Sequence, residues 1–434
     1  MKKNSMEIVL MIIIILIVGF IIYTVKNNDI LSNDKDRFFK EEPKINNDDS
    51  IIYKGVKEII NNEKIIKETF TDDKTDTNIL LLSNEINVDM DNVTINKKGD
   101  TNNPDNSSFY GINSGLLIKD QASLNINDSS VFTDGLGANG IFSYNSKVVI
   151  NNTTINTDKD LSGGIMVAGN GNIDASNLEI KTKGNSSAAI RSDRGGGVIT
   201  VNEGVYETNG VGSPAIYSTA NITVKNAKLK SNHSEGIIIE GKNAIFLDNV
   251  EVEDNNDTLN GKSTTYKNIF IYQSMSGDAT NGKATLEIKN SSINTNKGDT
   301  IYVTNTEADI VLENNLFSNV DDEGYFLRIK KDSWGIDGMN GGVVNISFNN
   351  QSATGNIYVD DISTLNITLS NGSYYEGTIN GDKTAAKVEL ELDKKSKIKL
   401  TGDSYITAIN DSNRAYTNID FNGYKLYVSG TPIN

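Results

Sequence analysis

The sequence predicts an all-β chain wound into a right-handed parallel β-helix of about 13 coils, with an N-terminal transmembrane helix ahead of it. Three observations carry the prediction. Residues 236–255, GIIIEGKNAIFLDNVEVEDN, hold three short β-like pieces, Ile237 to Ile239, Ala244 to Leu247 and Val250 to Val252, separated by Gly, Asn, Asp and Lys that favour turns. One such unit buries its apolar side only by stacking on copies of itself. Copies are present: the first pieces align Ile79, Leu116, Ile141, Ile165, Ile190, Ile216, Ile237, Ile269, Ile301, Phe326, Ile357, Ile379 and Ile406 in one column. Eleven of the thirteen are Ile in a chain that is 37% hydrophobic, so chance is a poor account. Inside each unit the period is two and β-branched residues are common, which excludes stacked helix pairs. The uneven spacing of 21 to 37 residues excludes a left-handed hexapeptide coil.

The second piece supports the same register through inward pairs such as Leu124 and Ile126, Val148 and Ile150, Ile222 and Val224, Leu286 and Ile288, Ile310 and Leu312, Leu365 and Ile367. Shortly beyond many pairs stands an Asn: Asn152, Asn177, Asn226, Asn249, Asn290, Asn314, Asn350 and Asn371. Asn tolerates left-handed backbone angles, and its amide can bond the like residue one turn away, so this column is expected to bend each coil at one corner.

Taken in order, the chain opens with an 18-residue run lacking charge, IVLMIIIILIVGFIIYTV at 8–25, after Lys2 and Lys3. That length just spans a bilayer, and the leading lysines favour a cytoplasmic tip. No Ala-x-Ala site follows, so an uncleaved signal-anchor is preferred over a signal peptide. Residues 26–50 are rich in Asn, Asp, Glu and Lys and read as a flexible stalk. Residues 51–76 carry enough Ile, Val and Phe to cap the first coil. The solenoid proper runs over 77–434, and FNGYKLYV near its end is expected to close it. The localisation expected is the cell membrane, single-pass, with the β-helix extracellular.

Composition narrows the chemistry. No cysteine is present, which excludes disulfides and thiolate catalysis. A net charge of −16 disfavours nucleic acid and anionic membrane surfaces. Sequons such as Asn92-Val-Thr arise without selection in an Asn- and Thr-rich coil.

If the Ile column faces inward, the following residues face outward. That puts Phe142, Tyr217, Phe270, Tyr302 and Tyr358 on one face, shared by Tyr144 and Tyr272, with long loops at 97–109, 254–267, 273–283 and 331–342 beside it. The last loop holds Trp334. Aromatic faces suit the C–H side of a pyranose, so these residues are the ligand-binding candidates for a glycan. They also read as a stabilising ladder or a protein contact, and Leu117, Met166 and Ile238 in the same column suit a partly covered face.

Several stretches resemble a group of exported bacterial β-helix proteins described as adhesin-like or carbohydrate-binding. The resemblance is carried by SPAIYSTANITV from Ser213, EGKNAIFLDNV from Glu240, TNKGDTIYVTNTEADIVLENNLF from Thr295, ISTLNITLSNGSYYEGTIN from Ile362 and NIDFNGYKLYV from Asn418. It implies the fold, a surface location, and a glycan or a host or neighbour-cell surface protein as partner. It supplies no catalytic residues.

The enzymatic alternative, a polysaccharide lyase or glycoside hydrolase, rests on Asp193 and Glu240, outward and two coils apart, or about 9.6 Å along the rod, with Arg191 and Arg194 nearby. Charged pairs of this kind are ordinary on solvated faces. A structural surface spacer is a third reading. Arg328-Ile329-Lys330 resembles the Arg-Ile-Lys of β-helix polygalacturonases, but the Gly-His-Gly and paired aspartates of that family are missing and the single His is His233. Strict alternation from Phe326 would turn Arg328 inward; a one-residue shift burying Leu327 and Ile329 is the better register. No cofactor is expected. Acidic turns at Asp321-Asp322-Glu323-Gly324 and Asp360-Asp361 could hold Ca²⁺ through carboxylate and carbonyl oxygens, but they lack a defined loop spacing and read as solvated turns.

Overall fold

The computed structural model describes residues 50–434. The anchor expected at 8–25 and nearly all of the stalk therefore lie outside the described residues. Among the described residues no helix is long and apolar enough to cross a membrane.

Alternating apolar residues bury one side of each short strand, and the strands stack as a parallel β-solenoid of about 15 turns. One side is a sheet of twelve parallel strands from Gly55–Ile59 to Ile357–Val359, prolonged by an Ile357–Ile379 bridge. A second sheet of 22 strands bends along its length to form the remaining sides, and a four-stranded sheet continues it near the C-terminus. The inward pairs of this second sheet, from Leu124 and Ile126 to Leu365 and Ile367, are all at most 2% exposed.

The first sheet holds the aliphatic column in register: Leu80, Leu116, Ile141, Ile165, Ile190, Ile216, Ile237, Ile269, Ile301, Leu327 and Ile357 stand above one another, facing the core. Three predicted members are displaced. Ile79 gives way to Leu80, because NILLL is apolar at four successive positions and period two cannot set its phase. Phe326 gives way to Leu327, the shift that buries Leu327 and Ile329 and turns Arg328 outward. Both Ile79 and Phe326 occupy the position one residue before the aliphatic column, where other turns have Gly115, Gly140, Gly164 or Ala189. The fit there is close: a Cβ on Gly164 would lie 2.5 Å from Ile180 Cγ2. Ile406 pairs instead with Val428 in a small terminal sheet.

The segment expected to cap the rod, 51–76, is its first turn. Gly55–Ile59, Glu63–Ile66 and Thr69–Asp72 pair in parallel with the three strands of the next turn. The other end closes where Leu426–Val428 meets Thr431–Pro432 antiparallel. Pro432 has no N–H to offer a further strand. These two end turns account for the difference between 13 coils and about 15.

All eight predicted corner asparagines have positive φ, from 46° to 56°. Their amides link successive turns, as Asn177 to Asn152 at 2.9 Å, Asn249 to Asn226 at 2.8 Å and Asn314 to Asn290 at 2.8 Å. Seven of these eight corners, all but that of Asn350, thus combine a backbone angle that disfavours most L-residues with a side-chain hydrogen bond running along the rod. Replacing Asn314 separates the two contributions. Asn314→Gly keeps the angle and loses the bond, and is expected to cost about 1 kcal/mol in urea unfolding. Asn314→Ala loses both and is expected to cost about 2–3 kcal/mol. Equal losses would contradict the role given to the backbone angle.

Candidate functional site

Residues after the aliphatic column face outward and form a second stack: Leu81, Leu117, Phe142, Met166, Arg191, Tyr217, Ile238, Phe270, Tyr302, Arg328 and Tyr358. The predicted face is real, but much of it is roofed. Phe142 and Tyr302 are fully buried and Phe270 is 3% exposed, so the expected open stripe of rings is absent.

Two apolar patches divide this face. The first, Leu81, Leu117, Phe142, Met166 and Ala168, lies under helix α1 (Pro104–Tyr110). Asn103 caps α1 by accepting from the Asn106 amide, Pro104 suits its first position, and Gly111 ends it at φ 69°. A Cβ at Gly111 would fall 2.7 Å from the Phe142 ring, so the helix end rests directly on that ring. The second patch, Ile238, Phe270, Tyr272 and Tyr302, is covered by Trp334 from the 331–341 loop, whose ring centroid is 5.2 Å from Phe270 and 5.3 Å from Tyr272. Tyr302 donates to Asp332 at 2.5 Å, and Asp332 also accepts from Thr264 at 3.0 Å, so two loops join over Tyr302. Tyr358 stands apart beyond Arg328, which forms a two-point ion pair with Asp299 at 2.6 and 3.0 Å.

Between the patches the outward stack turns charged, and a cleft of about 350 Å³ opens there. It brings together Arg191, Asp193, Tyr217, Phe270, Tyr272 and Trp334 from the predicted set. Asp193 accepts from Arg191 and from the Arg194 amide, both at 2.9 Å. The Arg194 guanidinium lies 3.7 Å from the ring centre of Phe109 on α1 and donates to Asp278 at 2.8 Å, tying α1 to the 273–283 loop beside the opening.

Glu240 lies beneath this floor with no exposed surface. It accepts from Tyr217 at 2.5 Å, Tyr272 at 3.1 Å and the Ser274 amide at 3.3 Å, and from the Ser274 hydroxyl. Burial raises its pKa against the pull of these donors. Burial likewise raises Tyr217 and Tyr272, which remain protonated donors. Asp193 is pushed up to about 6, chiefly by burial, with Arg191 opposing.

Sequence reasoning missed Glu235, Asp278 and Lys267. Lys267 is fully buried beside Phe270, 4.5 Å from the ring centre, with Glu235 at 3.9 Å, and burial lowers its pKa. Phe142, Tyr302 and Tyr358 are not among the lining residues. A larger depression of about 660 Å³ follows the asparagine corner; asparagines and serines line it together with Lys228, Glu251 and Leu316, and no aromatic ring does.

The acidic turns serve the backbone: Asp321 accepts from the amides of Gly298 and Glu323, and Asp360 from those of Lys331 and Ile362. Among the described residues no three His, Cys, Asp or Glu side chains gather as a metal site. His233 pairs with Asp257 at the surface.

The folded chain holds a proton on Asp193 more tightly than the unfolded chain, so this group's contribution to stability falls as pH rises from about 4 to about 6. The difference between its ordinary value of 3.8 and about 6 corresponds to about 3 kcal/mol. Subtracting the stability of Asp193→Asn from that of the native chain at each pH is expected to show that fall; a flat difference would contradict it. Comparison with protein-family models, curated proteins and solved structures found no match to the chain.

Proposed function

We propose that this chain is a membrane-anchored extracellular module, a right-handed β-solenoid acting as an adhesin that binds glycans in the lateral cleft. The observation that carries this reading is the meeting of Trp334, Phe270, Tyr272 and Tyr217 with the Arg191–Asp193 pair in one concave site. Rings of this kind stack against the apolar face of a sugar, while a guanidinium and a carboxylate side by side donate to and accept from adjacent hydroxyls. Carboxyls outnumber cations around the cleft, with Asp193, Glu235, Glu240 and Asp278 against Arg191, Arg194 and Lys267, and the whole chain carries −16. Neutral sugars are therefore favoured over polyanions. The anchoring rests on the apolar segment at 8–25.

The hydrolase or lyase reading draws on Asp193 and Glu240, whose proton affinities are both raised in one neighbourhood. Glu240, however, is sealed under Tyr217, Tyr272 and Ser274, and no substrate oxygen reaches it without displacing them. Binding without turnover fits that floor better.

Trp334 is the single tryptophan of the chain and lines the cleft, so its fluorescence reports on this site alone. Titrating the full chain with neutral oligosaccharides is expected to shift that emission. Arg191→Ala is expected to weaken the binding about 10- to 100-fold with the circular dichroism unchanged. Binding that leaves Trp334 unaffected, or that survives Arg191→Ala at full strength, would remove the cleft as the site. Release of reducing or unsaturated ends would favour the enzyme instead.

A further inference from the structure

After Asp72 and Lys97 in the first two turns, the last residue of the third strand carries a hydroxyl in five successive turns. Thr133, Thr157, Thr182, Thr208 and Ser231 stand in register, each buried, and each donates to a backbone carbonyl three to five residues on, at 2.5 to 3.0 Å. The next member of this column is Asp254, and the one after it is Thr295.

An ionised carboxylate cannot donate as its neighbours do. Both carboxylate oxygens of Asp254 are buried without a hydrogen-bond partner, and so is the Thr295 hydroxyl. Two amide oxygens nearby share this state: Oδ1 of Asn256 and Oδ1 of Asn268. The backbone places these groups at one corner. A Cβ on Gly236 would lie 1.7 Å from Asp254 Oδ1, so the carboxylate fills the space that this glycine leaves. The Gly236 amide donates to the Asn268 carbonyl one turn on, at 3.0 Å, and Asn256 donates its side-chain N–H to the Lys267 carbonyl at 2.7 Å. Asp254, Asn256 and Asn268 are each at most 1% exposed.

Four buried carboxylate and amide oxygens without a donor, beside a buried hydroxyl that makes no hydrogen bond, are costly unless a positive centre lies among them. We propose that this corner is a calcium site, with Asp254, Asn256, Asn268 and Thr295 supplying an all-oxygen shell. Amide and carboxylate oxygens are the ligands of hard cations, and the mixture suits Ca²⁺, which accepts six to eight oxygens in irregular geometry. Mg²⁺ demands a strict octahedron and retains several waters, which a closed corner does not hold. Glu235, the neighbour of Gly236, adds negative charge and lines the cleft. A bound ion would fix the 255–266 loop, which contributes Asn260 and Ser263 to the cleft wall.

The column provides its own control. Asp254→Thr restores the residue type found in this register elsewhere, so it is expected to fold and to be at least as stable as the native chain in chelator. The full chain, freed of metal with EDTA, is titrated with CaCl₂ by calorimetry and melted with and without Ca²⁺, against NaCl and KCl at matched ionic strength. The expected result is one Ca²⁺ bound per chain and a rise in Tm of roughly 2–4 °C, both lost in Asp254→Thr and weakened in Asn256→Ala. Failure of Ca²⁺ to bind or to raise Tm would overturn the proposal and leave Asp254 as a neutral acid or a partner of buried water. A calcium response that survives in Asp254→Thr would exclude this corner, and a response to Na⁺ or K⁺ alone would overturn the calcium assignment.

Discussion

The structure depends on the stacking of inward aliphatic side chains at a fixed register. Leu80, Leu116, Ile141 and their successors are each shielded by the turn before and the turn after, and each turn lacks a core of its own. Because side chains alternate along a strand, fixing the inward column also fixes the outward one. Residues as distant in sequence as Arg191, Tyr217 and Phe270 are therefore neighbours on one wall, and their chemistry is combined by packing on the opposite side of the same strands.

What turns that wall into a site is an interruption. Two roofed patches, one under α1 and one under Trp334, bury outward rings that an open sheet would expose. Between them Arg191 and Asp193 break the apolar run, and the roofs leave a gap above the charges. Arg194 ties α1 to the 273–283 loop beside the gap by stacking on Phe109 and pairing with Asp278. The rings that are fully covered, Phe142 and Tyr302, support the roofs, whereas Tyr217, Tyr272 and Trp334 keep edges facing the cleft.

The fold was legible because its signal repeats. A column of isoleucines and a corner of asparagines each recur often enough to outweigh local ambiguity; the column was misplaced by one residue at Ile79–Leu80 and Phe326–Leu327, where the sequence offers adjacent apolar choices, and misplaced also at Ile406, which joins the terminal sheet. The site was legible in part. Alternation placed the aromatic residues on the correct face, but nothing in a strand's period says what covers it. The roofs come from irregular loops, whose paths depend on single contacts such as Asp332 with Tyr302 and Gly111 on Phe142. Asp254 shows the same limit: Ser231, Asp254 and Thr295 are separated by unequal loops, so the column that makes the aspartate anomalous emerges only once the turns are stacked. That 51–76 covers the rod by forming a turn of its own was not legible, because an end turn and a separate cap share one composition, apolar residues interspersed with charge.

The claim that these turns share one register, with Arg191 and Tyr217 side by side on the outer wall, has a direct test in a chain that contains no cysteine. With Arg191→Cys and Tyr217→Cys introduced together, mild oxidation should close an intramolecular disulfide, seen as loss of two hydrogens in the intact mass and loss of reaction with a thiol reagent. With Arg191→Cys and Ile216→Cys, whose side chains face opposite ways, no bridge should form. Bridging in the second pair and not in the first would put Ile216 on the face of Arg191, a one-residue slip between these two turns, and contradict the account.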